Sequence, residues 1–169
     1  MRNSIDELVL ARFISAIEAE VAATGIKLEM RSDFDQLACL NPELGKLPVT
    51  PMFDPYRSIV GPSNGFWLQG TDIFGEVVHT QAIRFDRLED VTLDQHMRSM
   101  RNFYAAPAAA PSAGEVLHVR TPVSQQITGR VCYHGELWFR GGRGGFRGQG
   151  LEKSLPKLAM ALAYARWKP

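Results

Sequence analysis

The spacing of apolar residues changes several times along the chain, and each change marks an element. Ile5, Leu8, Val9, Phe13, Ala16, Ile17 and Val21 follow helical spacing and predict an amphipathic first helix that stops at Thr24-Gly25. Ser4 and Glu7 have the spacing of a capping box, and Asp6 and Glu7 suit the positive end of that helix. The period then falls to two in "IKLEM" (26–30), as in a half-buried strand. "SDFDQLACL" reads as a short helix capped by Ser32 or Asp33. Prolines at 42, 48, 51, 55 and 62 break regular structure over 41–63, and an irregular segment of that length reads as a substrate-binding or lid segment. Strands are predicted at 65–70 and 76–88, joined through a short turn containing Gly75 as a hairpin.

A second capping box, Thr92 with Gln95, opens a helix with Leu93, His96, Met97, Met100 and Tyr104 on one face. "AAPAAAPSAG" (105–114) reads as a flexible surface loop, followed by strand-like runs at "EVLHV" (115–119) and "GRVCYHGELWF" (129–139). The last helix carries Leu155, Leu158, Ala159, Leu162, Ala163 and Arg166. Pro156 has no N–H to give, so it is expected in the first turn, with Ser154 as N-cap and 150–153 leading in. The order of elements predicts an α/β chain of the α+β kind, a mixed and largely antiparallel sheet flanked by helices, in one domain over 1–169.

Composition narrows the class. With 45% hydrophobic and 22% charged residues and a net charge of +1, the chain can bury a core and does not resemble a disordered segment. The charge is unevenly spread: from 120 to 169 there are nine Lys or Arg against two Glu, a net +7, which leaves −6 on the first 119 residues. A basic final third suggests an anionic partner. Cys39 and Cys132 fit no disulfide or CxxC framework and read as small buried hydrophobes in a reducing compartment. No window approaches 18 apolar residues, and the N-terminus has acids where a signal peptide needs an apolar run. A cytoplasmic protein with no membrane partner is expected.

The chemistry concentrates in "FRGGRGGFRGQGLEKSL" (139–155). Its Arg-Gly repeats look like an RNA-binding tail, yet such tails lie in long, poorly apolar segments. Here a strand precedes the repeats and an amphipathic helix follows, which favours a phosphate cradle of glycine amides at a helix start, supplemented by Arg140, Arg143, Arg147 and Lys153. A plain connecting loop remains the third reading. No Gly-Lys-Ser/Thr or G-x-G-x-x-G follows the strand, so neither a Walker A loop nor a dinucleotide fingerprint applies. No G-x-S-x-G elbow is present, and the four histidines show no metal-ligand spacing, so no metal is expected. Phe66, Trp67, Trp138 and Phe139 read as core rather than as base-stacking platforms.

"RGQGL" (147–151), after a strand bearing "GELWF" and before an Ala- and Leu-rich helix, resembles the acyl-CoA loop of the GNAT N-acetyltransferase superfamily, Arg/Gln-x-x-Gly-x-Gly/Ala. Arg147 and Gly150 match its first two fixed positions, Leu151 suits the apolar one, and Glu152 stands where a small residue is expected. The order helix, hairpin, helix, strand, loop also matches the family. The resemblance implies acetyl-CoA or another acyl-CoA as cofactor, its pyrophosphate on Arg147, Gly148, Gln149, Gly150 and Leu151 with Lys153 nearby, and its pantetheine along Glu136, Trp138, Phe139 and Arg140. It further implies Glu136 as general base, with His134 as an auxiliary proton carrier on the same strand face, and a small-molecule amine as acceptor. It covers the N-terminal two thirds of the family fold and leaves out the C-terminal strand-helix-strand unit. The chain is therefore expected to be truncated or completed by a partner, and to self-associate through an exposed sheet edge. Two alternatives stay open: an RNA-binding protein using the basic third, which is the less expected partner class, and a GNAT-like interaction module without activity.

Overall fold

The computed structural model describes residues 6–107, 109–142, 146 and 150–169. Four helices and four strands follow the order α1 (Glu7–Ala23), β1 (Lys27–Arg31), α2 (Phe34–Glu43), β2 (Gly65–Thr71), β3 (Val77–Leu88), α3 (Leu93–Arg98), β4 (Gly129–Phe139) and α4 (Leu151–Trp167). Single 3-10 turns lie at Pro51–Phe53 and Pro122–Gln125. The strands form one open antiparallel sheet in the order β1-β2-β3-β4, with β1 opposite β2 from Lys27↔Thr71 to Arg31↔Trp67. This is an α+β architecture, as the pattern predicted. Among the described residues no helix is long and apolar enough to cross a membrane.

The chain separates into two compact units built from interleaved segments: 1–31, 67–83 and 134–168 in the first, and 32–66, 84–133 and 169 in the second. In the first unit, Ile17 and Val21 of α1, Ile26, Trp67, Leu68, Val78, Ile83, Phe139 and one side of α4 (Leu151, Leu155, Leu158, Ala159) make the core. Helices α1 and α4 run antiparallel: Lys168 Nζ reaches Glu7 at 3.4 Å, and Ser154 Oγ donates to Glu20 at 2.9 Å. The hairpin closes as expected, with Asp72 Oδ1 accepting the Phe74 and Glu76 amides and Gly75 supplying the φ of +84° that the turn needs.

In the second unit, the proline-rich segment is anchored. Val49, Phe53 and Ser58 are buried, Phe53 stacks on Phe34 with centroids 6.3 Å apart, and the Ser58 hydroxyl donates to Met52 O. Gly65 is obligatory there, because a Cβ would come within 2.8 Å of the Phe34 ring. Leu47, Tyr56 and Ile59 are its exposed large apolar side chains.

Several expectations need correction. The cap of α1 is Asp6, which accepts from the Leu8 and Val9 amides, while Ser4 lies outside the described residues. Of the predicted α1 stripe only Ile17 and Val21 are buried; Leu8, Val9, Phe13 and Ala16 are exposed, and Ile5 lies outside the described residues. Asp33, not Ser32, caps α2 by accepting from Gln36 N. Residues 115–119 form no strand: Arg98 Nη2 takes the Val119 carbonyl, and Glu115 is held by the Tyr104 hydroxyl and the Ser112 amide. Helix α4 begins at Leu151 with Gly150 as N-cap, so 151–153 belong to it and Pro156 sits inside it rather than in its first turn. Cys39 is exposed rather than buried. Cys132 is half-buried, and burial with the nearby Asp86 carboxylate pushes its thiol up to about 11, which keeps it protonated.

Candidate functional site

The predicted site residues fall in the first unit, on the second half of β4 and the first turn of α4. Arg147, Gly148 and Gln149 lie outside the described residues, as does Arg143. The loop is flanked by the end of β4 and the start of α4.

Strand β4 carries an irregularity that its sequence does not announce. Glu136 has φ +56°, a left-handed backbone that non-glycine residues rarely adopt, in the middle of the strand. A left-handed residue there interrupts the two-residue alternation, so a shared face for His134 and Glu136 no longer follows from the strand repeat.

Strand β3 compensates with three consecutive buried polar residues, His79, Thr80 and Gln81. The Thr80 hydroxyl donates to the Glu136 carbonyl at 3.1 Å, and His79 Nδ1 meets the Trp138 carbonyl at 2.9 Å. A carbonyl only accepts, so the proton of His79 is on Nδ1. Its ring also lies against Phe139, centroids 4.5 Å apart. The ladder resumes beyond, with the Arg140 amide on the Val78 carbonyl at 2.8 Å.

Gln81 links His134 to α4. Its Nε2 donates to the Leu155 carbonyl at 2.8 Å, and its Oε1 faces His134 Nε2 at 2.9 Å. The carbonyl accepts, so the amide nitrogen of Gln81 must point to α4 and its oxygen to the imidazole. His134 therefore donates from Nε2 and keeps the lone pair on Nδ1. Burial lowers the pKa of His134 below its usual value, so the ring is neutral near pH 7. A neutral imidazole with one nitrogen committed and one lone pair left is a proton acceptor. The Leu155 carbonyl, just before Pro156, has lone pairs for both its helix and Gln81.

Arg140 is held elsewhere. Its Nη2 lies 2.6 Å from Asp72 Oδ2 in the hairpin turn. Burial opposes the charge on Asp72, but Arg140 and the Glu76 and Phe74 amides outweigh it and hold the carboxyl below its usual range. Sequence reasoning missed Asp72 as the partner of Arg140, and it missed His79, Thr80 and Gln81. The signal for the latter was three polar residues in a row between the apolar pairs Val77-Val78 and Ala82-Ile83.

At the start of α4, Gly150 has φ +83°, and no side chain among the described residues caps the helix. A Cβ on Gly150 would meet nothing within 4 Å, so the backbone conformation, rather than crowding, calls for glycine. Leu151 is buried and anchors the turn, while Glu152 and Lys153 are exposed. The acid at Glu152 itself favours the positive helix end and so competes with any anion there. Trp67 and Phe66 are core, as is Phe139, while Trp138 is half-buried. Among the described residues no cluster of three or more His, Cys, Asp or Glu could hold a metal ion.

Protein-family models, curated proteins and solved structures give no match to this chain.

Proposed function

We propose that the chain is the core of an acyl-CoA-dependent N-acyltransferase of the GNAT type, moving an acetyl or other acyl group to the amine of a small molecule or amino acid. The observation that carries this reading is the β4–α4 junction. A strand with a left-handed residue at Glu136 is followed by a helix that opens on a left-handed N-cap glycine, and no side chain among the described residues caps it. Helix-start amides left without a side-chain acceptor suit a pyrophosphate.

The residues present fit the cofactor in part. Gly150, the backbone of Leu151 and Lys153 suit the diphosphate, and Trp138 with Phe139 suits the pantetheine arm. Arg140 is committed to Asp72, so it drops out of the set. Bound acetyl-CoA would supply an acyl group activated as a thioester. His134 Nδ1 then accepts the proton that the attacking amine gives up, while Gln81 keeps Nε2 protonated and the ring in place. Glu136 is the second acceptor within the same stretch of β4, and the Glu136→Gln and His134→Ala variants divide the role between them. Turnover unchanged in Glu136→Gln removes that carboxylate from the chemistry.

Thermal melts with acetyl-CoA and with single-stranded RNA test the reading. A ligand at a hundredfold excess over its Kd stabilises by about 2.7 kcal/mol, which is about 5–10 °C for a chain of this size. A rise with acetyl-CoA and none with RNA is expected. Stabilisation by RNA alone, weakening steeply with salt, would transfer the role to nucleic-acid binding through the basic final third.

A further inference from the structure

We propose that α1 and α4 form the interface of a twofold homodimer, with α1 of each copy laid against α4 of the other. The starting observation is an unburied stripe. Val9 and Phe13 of α1 and Met160 of α4 are 55%, 43% and 44% exposed, although Ile17 and Val21 further along α1 and the other side of α4 are in the core. Val9, Leu10 and Phe13 face Pro156, Met160 and Tyr164 across a groove of about 540 Å³ between the two helices, a surface with far more apolar than polar atoms. Exposed apolar surface that is contiguous in this way marks an interaction site more often than scattered residues do.

Charge identifies the occupant. Residues 6–23 carry Asp6, Glu7, Glu18 and Glu20 against Arg12, a net −3. Residues 151–168 carry Lys153, Lys157, Arg166 and Lys168 against Glu152, a net +3. Helical spacing puts Asp6, Val9, Phe13 and Glu20 on one stripe of α1, acid at each end and apolar between. The same spacing puts Lys153, Lys157, Met160, Tyr164 and Lys168 on one stripe of α4, basic at each end and apolar between. The helices are antiparallel within the chain. A twofold axis parallel to them lays α1 on the partner's α4, again antiparallel. The acids near the start of α1 then meet the basic end of α4, those near its end meet Lys153 and Lys157, and Phe13 meets the apolar centre. The surface is thus complementary to itself, which an isologous interface requires. The sheet edges are poorer candidates. The outer strand β1 carries Lys27, Glu29 and Arg31 paired with one another, and β4 is interrupted at Glu136.

Sedimentation of the full chain over a concentration series tests this. The wild type should sediment at about twice the 18.8 kDa chain mass, and Phe13→Glu and Met160→Glu should each sediment as single chains with unchanged circular dichroism. A wild type that stays at the single-chain mass overturns the proposal, and so does a dimer that survives both substitutions, which would put self-association at a sheet edge. Carboxylate–lysine crosslinking of mixed isotope-labelled and unlabelled wild type avoids any dependence on variant folding. Glu20 should crosslink to Lys153 or Lys157 between labelled and unlabelled chains, and crosslinks confined to single chains would overturn the proposal.

Discussion

The two halves of β3 solve the burial of polar side chains in different ways. In the first unit, His79, Thr80 and Gln81 are fully buried, and each pairs with a named carbonyl on β4 or α4. In the second unit, the Arg84 guanidinium is buried beside the half-buried Asp86 carboxyl. Arg84 donates to the Met52 and Asn102 carbonyls at 2.9 Å and to Asp86 Oδ1 at 3.3 Å, while His96 Nε2 lies 3.8 Å from Asp86 Oδ2, too far for a hydrogen bond. The first arrangement holds a bent strand and orients an imidazole. The second ties a proline-rich segment and the turn that follows α3 to one guanidinium. Neutral pairs set geometry at modest cost, whereas a buried ion makes its neighbours depend on it.

The comparison breaks most sharply at Arg84. Arg84→Leu leaves the half-buried Asp86 and the Met52 and Asn102 carbonyls without the guanidinium and should cost about 3–5 kcal/mol by chemical denaturation. Arg84→Lys should recover only part, because an ammonium cannot satisfy three acceptors in the plane of a guanidinium. A loss below that of Gln81→Leu would show that the ionic half is not the more demanding one. Gln81→Leu removes the partner of both His134 and the Leu155 carbonyl and should cost about 1–3 kcal/mol. Its second readout is the His134 ring: nitrogen shifts should report Nε2–H in the wild type and a mixture of tautomers in the variant.

Thr80→Val keeps the shape and loses one hydroxyl bond, so about 1 kcal/mol is expected. Acidification has the smallest effect. His134 and His96 both hold a proton less tightly in the folded chain, in each case chiefly because of burial, although Asp86 opposes it at His96. Their contribution is therefore complete above the unfolded value near 6.5 and is lost as pH falls through the lower folded values. Melting temperature should decline from pH 7 toward pH 5, and His134→Gln should flatten that decline. A melting temperature that rises on acidification would reverse the sign assigned to both histidines.

Much of the fold was legible because it rests on local signals. The Thr92–Gln95 capping box forms both of its bonds, and β4 spans the "GRVCYHGELWF" run from end to end. What was not legible depends on distant partners. Pro156 was expected in the first turn because it lacks an N–H, yet the helix accommodates it, and beside it the Leu155 carbonyl accepts from Gln81, 74 residues away. "EVLHV" is strand-like in composition, but its Val119 carbonyl is bound by Arg98 instead of a neighbouring strand. The site was half legible. Composition and order pointed to the β4–α4 junction, whereas the left-handed Glu136, next to a glycine that would adopt that backbone more readily, follows from no local rule. The pairing of Arg140 with Asp72 likewise joins residues 68 apart in sequence.

The most direct test is an amide-resolved titration of the full chain with acetyl-CoA. Shifts concentrated at Gly150 to Lys153 and along Glu136 to Phe139, with His134 Nδ1 responding in the same titration, are predicted. Saturable shifts confined to residues of the second unit, or no shifts at all, would contradict the reading.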